Sequence, residues 1–171
     1  MAHKPRLRPL ELKDLEQVAA IYAHYVASGA ATFDEVAPDI EAWSAKAGSV
    51  VARGLPFLVA EVGGKVAGFA YASTWQPRPA YRHTVEDTVY VAPSKLRKGL
   101  GRLLLGALIE NCRKTGIEQM IAVIADTGEP AAQALHRSAG FTEAGRLSKV
   151  GFKYGQWIDT VLMQISLEQA G

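Results

Sequence analysis

The stretch from residue 84 to residue 104, TVEDTVYVAPSKLRKGLGRLL, constrains the fold of this chain more than any other. Polar and apolar residues alternate over its first eight positions, which predicts a strand with two chemically different faces. One face carries Val85, Val89 and Val91, and the other carries Thr84, Glu86, Thr88 and Tyr90. Pro93 and Ser94 end the strand, and a basic loop with two glycines leads into a helix. The apolar stripe of that helix consists of Leu100, Leu103, Leu104, Ala107 and Leu108.

A strand that leads through such a loop into a helix can form a seat for a phosphate. The amides of the first helical turn are free, and the positive end of the helix dipole points at the same place. Gly99 and Gly101 let the backbone approach a bulky anion, because neither has a Cβ atom. Positive charge around the seat comes from Arg97, Lys98 and Arg102. The strand also places the carboxylate of Glu86 a few residues away.

Two familiar phosphate-binding fingerprints do not fit this loop. A dinucleotide-binding loop requires a third glycine, where Leu104 stands, and an acidic residue at the end of the next strand, which reads Ala122-Val-Ile-Ala125. A Walker A loop requires Lys and then Ser or Thr after the second glycine, whereas Arg102 and Leu103 follow Gly101. The loop therefore predicts a pyrophosphate seat of another kind.

Length and composition limit the number of domains and the kinds of partner that the chain can have. The 171 residues suffice for one well-buried core and are few for two, so we expect a single domain over residues 1–171. A formal net charge of +2 is too small to indicate nucleic acid as the main partner. The single cysteine, Cys112, cannot form an internal disulfide, so we expect a packing role for it and a cytoplasmic location. No apolar run approaches the length of a membrane span, and we expect neither a membrane partner nor a metal.

Hydrophobic periodicity and turn residues predict the element order β-α-α-β-β-β-α-β-α-β-β. This order indicates a mixed α/β sheet with helices on both faces. Gly63-Gly64 predicts a hairpin between two strands, and residues 75–82 read as a proline-stiffened loop. The last two strands are predicted over residues 141–150 and 156–167, with a loop at 151–155 between them.

A series of short motifs, all in one order, connects the chain with a known family. They are Thr32-Phe33, residues 56–61, 70–72, Trp75, Arg78, residues 80–82, 84–86, 88–91, 99–101, 123–124, 135–136, 140–141, 151–153, Gly155, Trp157 and Asp159. In these motifs the chain resembles the GCN5-related N-acetyltransferases (GNAT). Within that superfamily it looks most like the phosphinothricin and methionine sulfoximine N-acetyltransferase branch.

The resemblance implies a mostly antiparallel central sheet, in which the strand ending at Val91 splays from its neighbour and admits the pantetheine arm of acetyl-CoA. The residues that it implies in binding acetyl-CoA are Val89, Tyr90, Val91, Arg97, Lys98, Gly99, Leu100, Gly101, Arg102 and Glu129. Two positions depart from the family pattern. Leu96 stands where Gln or Arg is usual, and Glu129-x-x-Ala132 replaces Asn-x-x-Ser.

Acetylation requires a base, because an amine of ordinary pKa is mostly protonated at pH 7. Glu86 is the predicted base, and the alternative is a solvated strand carboxylate without a role. A backbone N–H near Tyr90 and Val91 is expected to stabilise the thioester oxygen as it becomes negative. The resemblance implies that His136 protonates the leaving thiolate, where most of the superfamily uses a tyrosine. The alternative is an ordinary surface histidine on a short helix.

The loop before the central strand is the predicted acceptor site. Arg78 and Arg82 offer guanidinium groups that suit a carboxylate, phosphinate or sulfoximine group. The full predicted acceptor set is Phe33, Trp75, Arg78, Tyr81, Arg82, Thr84 and Glu86. The alternative is a solvated surface loop. Lys149, Lys153 and Trp157 either complete this pocket or belong to the contact of a homodimer, which the resemblance implies, and the sequence leaves this open.

The predicted function is transfer of acetyl from acetyl-CoA to the α-amino group of a small amino acid analogue, of the phosphinothricin, methionine sulfoximine or methionine sulfone type. A second hypothesis makes a protein N-terminus or a polyamine the acceptor. A third makes the chain a non-catalytic acyl-CoA-binding module. The arginine-bearing loop favours a small anionic acceptor over the second hypothesis. The presence of both Glu86 and His136 argues against the third.

Overall fold

A computed structural model describes residues 2–168. Its strands and helices follow the order predicted from the sequence, which is therefore confirmed. They are β1 (Arg6–Pro9), α1 (Leu15–Ser28), α2 (Ile40–Ala52), β2 (Phe57–Val62), β3 (Lys65–Thr74), β4 (Thr84–Val91), α3 (Leu100–Arg113), β5 (Gln119–Ala125), α4 (Ala131–Ser138), β6 (Thr142–Lys153) and β7 (Gln156–Ser166). Within residues 2–168, none of the helices has the length and apolar character that crossing a membrane requires.

The seven strands form one sheet in the order β1-β2-β3-β4-β5-β7-β6. Every neighbouring pair is antiparallel except β4 and β5, which are parallel. The parallel pairing covers only Thr84–Glu86 against Gln119–Ile121, although β4 continues to Val91 and β5 to Ala125. The predicted mixed, mostly antiparallel sheet with a splayed strand pair is thus confirmed.

One face of the sheet at β4 is covered by α1 and α2 and is hereafter the α1/α2 face. The ring of Tyr90 on β4 packs edge-on against Tyr22 of α1, with centroids 5.2 Å apart. Trp43 of α2 packs against Phe69 of β3 with centroids 5.5 Å apart. Because side chains alternate along a strand, Glu86 lies on the same face as Tyr90.

The opposite face of β4 is covered by α3 and α4 and is hereafter the α3/α4 face. A Cβ atom on Gly68 of β3 would lie 2.9 Å from Cδ1 of Leu104, which shows how closely α3 approaches the sheet. Val91, directly opposite Gly68, contacts the first turn of α3 at Gly101. Alternation therefore places Asp87 on this face as well.

The predicted loop over residues 151–155 is wrong for most of its length. β6 runs to Lys153, and the turn consists only of Tyr154 and Gly155, with φ values of 50° and 71°. Two positive φ values are what a tight two-residue hairpin turn requires. Gly151 pairs with Ile158 of β7, and the ring of Phe33 occupies the place where a Cβ atom would lie. A glycine that reads as a loop signal serves here as a packing surface.

Candidate active site

The gap between the diverging ends of β4 and β5 forms the first part of the candidate site. Beyond Glu86 the two strands no longer pair. Amides along β4 alternate in direction, so every second N–H after Glu86 points away from β3 and toward this gap. Gly101 on the first turn of α3 lies next to Val91, which ends β4, so the start of α3 borders the gap.

The segment from residue 96 to residue 102 carries unused hydrogen-bond donors. Within residues 2–168, none of its backbone N–H groups donates a hydrogen bond to a carbonyl or a side chain. Arg97 and Gly99 lie in the left-handed region, with φ of 61° and 79°, and such turns gather successive amides into an anion-binding concavity. The exposed side chains of Arg97, Lys98 and Arg102 surround these amides with positive charge. The segment suits a diphosphate.

Gly101 also fixes the position of α4 relative to this segment. A Cβ atom on Gly101 would lie 3.3 Å from Cδ2 of Leu135, so the first turn of α3 is in close contact with α4. The residue after Leu135 is His136. The contact therefore brings His136 to the same end of the sheet as the unused amides.

Glu86 is half-buried on the α1/α2 face of β4, between Ser73 of β3 and Ile121 of β5. Burial raises the pKa of Glu86, and the negative charge of Asp87 raises it further. The positive charge of Lys46 on α2 acts in the opposite direction. A carboxylate with a raised pKa is a stronger base than an ordinary glutamate.

An open pocket of about 300 Å³ lies beside the same part of β3. Its polar lining residues are Lys46, Ser49, Arg53, Ser73 and Thr74. Ser73 is the residue directly opposite Glu86 in the sheet. The Nζ atom of Lys46 lies 3.4 Å from the hydroxyl of Tyr71. The α1/α2 face thus combines a half-buried carboxylate with a positively charged hollow.

His136 lies on the α3/α4 face and is paired with Asp87. Its Nε2 atom is 2.7 Å from Oδ2 of Asp87, and its Nδ1 atom is 2.7 Å from the carbonyl oxygen of Ala132. Only 6% of His136 and 8% of Asp87 is exposed. The alternative of a surface histidine is therefore wrong, because the ring is enclosed and both nitrogens have partners inside the chain.

The predicted acceptor residues do not all lie together. Trp75, Arg78, Tyr81 and Arg82 belong to the connection between β3 and β4, at the end where Ser73 and Glu86 pair. This connection contains a 3-10 turn over Pro79–Tyr81, which the sequence did not predict. Thr84 begins β4. Phe33 instead packs on Gly151 of β6.

The sequence leaves open whether Lys149, Lys153 and Trp157 belong to the acceptor pocket or to a dimer contact. In the structure, their surroundings differ. Lys153 is buried, and its Nζ atom donates hydrogen bonds to the carbonyl oxygens of Val26 at 3.0 Å and Thr32 at 2.9 Å. It therefore ties the end of α1 to the following loop. Lys149 is exposed and donates its backbone N–H to Asp159. Trp157 is 64% exposed and packs against Phe152.

The two departures from the family pattern are both at the surface. Leu96 is 50% exposed at the start of the segment with unused amides. Glu129 is exposed in the loop before α4, and its backbone N–H lies 3.4 Å from Oγ1 of Thr127. Neither position interrupts the backbone geometry of residues 97–102.

Comparison with known proteins adds the deciding observation. The model of the Acetyltransferase (GNAT) family matches residues 17–141, which span β2 to β5 and both helices of the α3/α4 face. The chain belongs to this family. Its sheet and its splayed strand pair are those of the GNAT fold.

Individual relatives agree with this assignment. The GNAT chain is 50% identical over 151 residues to a phosphinothricin N-acetyltransferase of Alcaligenes faecalis, covering 88% of this chain and 77% of that one. It is 37% identical over 163 residues to an L-methionine sulfoximine/L-methionine sulfone acetyltransferase of Pseudomonas aeruginosa, covering 95% and 94%. A crystal structure of a GNAT superfamily phosphinothricin acetyltransferase from Sinorhizobium meliloti in complex with acetyl-CoA superposes with a TM-score of 0.91, at 39% identity, covering 95% and 88%. The prediction of an acetyl-CoA-dependent acetyltransferase is confirmed at the level of the family.

Sequence reasoning missed Asp87. The alternation of β4 assigns this aspartate to the otherwise apolar face of Val85, Val89 and Val91. A lone acidic residue on an apolar stripe requires a partner. That signal could have pointed to Asp87, although the identity of the partner depends on how α4 packs.

Proposed function

We propose that this GNAT chain transfers acetyl from acetyl-CoA to the α-amino group of a small amino acid analogue of the phosphinothricin, methionine sulfoximine or methionine sulfone type. The observation that carries this proposal is the row of unused amides at residues 96–102 beside the gap that Glu86 borders. When bound, acetyl-CoA supplies the acetyl group as an activated thioester, and coenzyme A departs as the thiolate when the C–S bond breaks.

The residues that would hold acetyl-CoA fall into three groups. The amides and side chains of Arg97, Lys98, Gly99, Leu100, Gly101 and Arg102 would bind its pyrophosphate. The β4 backbone at Val89, Tyr90 and Val91 would bind its pantetheine arm. Glu129, in the exposed loop before α4, is a third proposed contact. Because backbone amides supply most of the binding, the replacement of Gln or Arg by Leu96 is compatible with this role.

Glu86 would take a proton from the acceptor ammonium, directly or through a water molecule. Glu86 forms the last β4–β5 pair and so lies at the edge of the gap, and burial raises its pKa. A positioned general base contributes roughly 10²–10⁴-fold to the rate. An N–H of β4 near Tyr90 and Val91 would stabilise the negative oxygen, which is worth on the order of 10²–10³-fold.

The acceptor would lie on the α1/α2 face, with its amine at Glu86. Arg78 and Arg82 at the β3–β4 connection carry positive charge at this end of the sheet, and Lys46 adds a third cation beside Ser73. These cations favour an acceptor that carries an anionic or strongly polar group in addition to its amine. Aromatic walls for its aliphatic part would come from Trp75 and Tyr81, and Phe33 is proposed as a further wall.

A thiol-release assay with acetyl-CoA tests this function. The acceptor panel comprises phosphinothricin, methionine sulfoximine, methionine sulfone, a polyamine and short peptides with free N-termini. Release with the small amino acid analogues supports the proposal. Thiol release only with peptides or the polyamine would instead support a protein N-terminus or a polyamine as the acceptor. Tight coenzyme A binding without release for any acceptor would favour the acyl-CoA-binding module.

We also propose that two copies of the chain form a homodimer through the β6–β7 hairpin. β6 is an edge strand, and the exposed apolar residues of the hairpin are Leu147, Val150, Phe152, Tyr154 and Trp157. An uncovered edge with large apolar side chains favours pairing with another copy. Light scattering should give a dimer mass for the unchanged chain and a monomer mass for Trp157→Ser. A monomer mass for the unchanged chain would exclude the dimer.

Two further expectations stay predictions. One is a single domain across residues 1–171, and the other is a cytoplasmic location.

A further inference from the structure

Lys46 and Glu86 carry opposite charges on the α1/α2 face without forming an ion pair. Lys46 projects from α2, and its positive charge lowers the pKa of Glu86, so its ammonium group is near enough to act on the carboxylate. Among residues 2–168, however, neither side chain has a salt-bridge partner. The two charged groups are thus close to each other but not in contact.

Two aromatic rings hold the head group of Lys46 in place. Its Nζ atom lies 5.8 Å from the ring centroid of Trp43 and 5.5 Å from that of Tyr71, and a cation is attracted to the face of an aromatic ring. The hydroxyl of Tyr71, 3.4 Å from Nζ, can accept one hydrogen bond. An ammonium group has three N–H donors, so two remain for a ligand.

The open pocket beside β3 connects Lys46 with the neighbourhood of Glu86. Both Lys46 and Ser73 line this pocket, and Ser73 lies directly opposite Glu86 in the sheet. Its volume of about 300 Å³ is at the lower end of the range for sites that bind small molecules. A small amino acid therefore fits into a pocket that has a cation at its wall and a carboxylate close by.

The charges of an α-amino acid are complementary to this arrangement. Its amine and its carboxylate are attached to the same carbon atom, so an amine held at Glu86 keeps the carboxylate close by. An ammonium donor such as that of Lys46 forms a strong, charge-assisted hydrogen bond with a carboxylate. A peptide N-terminus has a neutral carbonyl group at this position, and a polyamine has further cations that Lys46 repels.

We propose that Lys46 binds the α-carboxylate of the acceptor, and that it restricts acetylation to amines with a free carboxylate on the same carbon atom. This inference rests on the proposed function, in which the acceptor amine lies at Glu86. The substrate class is then free α-amino acids, rather than peptide N-termini or polyamines. Arg78 and Arg82, at the β3–β4 connection, remain for the polar end of the acceptor side chain.

The first test compares two acceptors that have the same side chain, L-methionine sulfone and L-methionine sulfone amide. In the amide, a neutral carboxamide replaces the carboxylate. The carboxylate preference is kcat/KM for the sulfone divided by kcat/KM for the amide, measured by thiol release. Lys46→Gln should lower this preference at least roughly 10-fold, which is the size expected for a lost hydrogen bond between two charged groups.

The loss for the sulfone should appear mainly in KM, because Lys46 binds the carboxylate equally in the ground state and in the transition state. Lys46→Gln also raises the pKa of Glu86. That change acts on both acceptors alike and cancels in the preference. The different basicities of the two acceptor amines cancel as well, because they are the same for the variant and for the unchanged chain.

Two further variants serve as controls. Lys46→Arg keeps the positive charge and should retain most of the carboxylate preference. Lys65→Gln removes the same charge from the exposed first residue of β3, at the opposite end of the strand from Ser73. It should leave the preference unchanged. Circular dichroism checks that each variant is folded, which the exposed position of Lys46 favours.

The second test measures binding without acetylation. Calorimetry in the presence of coenzyme A should show that the unchanged chain binds the sulfone at least roughly 10-fold more tightly than Lys46→Gln does. The affinity for the amide should be the same in both. Should Lys46→Gln fail to fold, the unchanged chain still gives a decision, because equal affinities for the sulfone and the amide would overturn the proposal.

The outcomes separate this proposal from the function on which it rests. An equal carboxylate preference in Lys46→Gln and in the unchanged chain overturns the role of Lys46. Equal losses for both acceptors also overturn it, because Lys46 would then act only through the pKa of Glu86. If the unchanged chain acetylates neither acceptor, the proposed function fails, and calorimetry still decides the role of Lys46. Sulfone binding that weakens in Lys46→Gln supports carboxylate binding, whereas binding that is absent or independent of Lys46 overturns it.

Discussion

The two faces of β4 carry adjacent carboxylates in opposite surroundings. Glu86 on the α1/α2 face is half-buried, and Ser73, directly opposite it on β3, lines an open pocket. Asp87 on the α3/α4 face is enclosed, and one of its oxygens is bound to His136. Burial without a partner raises the pKa of Glu86, whereas Asp87 uses its charge to raise the pKa of His136. One strand thus carries a half-buried carboxylate without a hydrogen-bond partner on one face and a buried carboxylate–histidine pair on the other.

The comparison shows how sheet geometry keeps two adjacent carboxylates apart. Neighbouring side chains on a strand point in opposite directions, so the two carboxylates cannot share one proton through direct contact. Their charges still interact, because Asp87 raises the pKa of Glu86 through the strand.

The largest expected effect comes from removing the base. Glu86→Gln should lower kcat at least roughly 10²-fold and leave the affinity for coenzyme A near that of the unchanged enzyme. The folded-state pKa of Glu86 lies above its unfolded value, so ionised Glu86 costs stability at neutral pH. The variant should therefore melt no earlier than the unchanged chain, as measured by circular dichroism. An unchanged kcat would remove Glu86 from its proposed role.

The close packing of the α3/α4 face can be broken at Gly68. A Cβ atom there would lie 2.9 Å from Leu104 and 3.0 Å from the carbonyl oxygen of Tyr90. We expect Gly68→Ala to lower the free energy of unfolding by about 1–3 kcal/mol, measured by urea denaturation. Gly106→Ala is the control, because nothing lies within 4 Å of that position on exposed α3 and alanine favours helix there. Equal stability of Gly68→Ala and the unchanged chain would contradict this packing.

The Asp87–His136 pair should make stability depend on pH. The folded-state pKa of His136 is raised above its ordinary 6.5, so its stabilising contribution is fully present below pH 6.5 and is lost as pH rises through the raised value. Asp87→Asn should therefore be less stable than the unchanged chain by about 1–3 kcal/mol at pH 6, and by less at pH 9. Denaturation at the two pH values measures this difference. A stability difference that grows toward pH 9 would contradict the raised pKa of His136.

The smallest effect concerns the charge balance around Glu86. With Glu86 as the proposed base, the active form is ionised, so kcat/KM should fall as pH drops through its raised pKa. Lys46→Gln removes the cation that lowers this pKa. The acidic limb of the pH profile of kcat/KM should therefore move to higher pH. Asp87→Asn removes the anion that raises it and should move the limb to lower pH. Shifts in the same direction for both variants would show that the limb belongs to another group.

The sequence alone determined most of the fold because local patterns dictate it. Alternation predicts β4 and the separate faces of Glu86 and Val85, and the glycines of the loop predict the anion seat at residues 97–102. The prediction was wrong at residues 151–153. Gly151 reads as a loop signal, but Phe33, far away in the sequence, packs on it within β6.

Only the tertiary structure decided which side chains meet. Asp87 meets His136, which lies 49 residues later in the chain, because α4 docks against the first turn of α3. That Lys153 is buried depends on carbonyl oxygens of α1 and its following loop. Burial and opposite charges from distant segments set the protonation of Glu86 and His136. Periodicity reports the direction of a side chain, whereas its partner is fixed by long-range packing that no local pattern encodes.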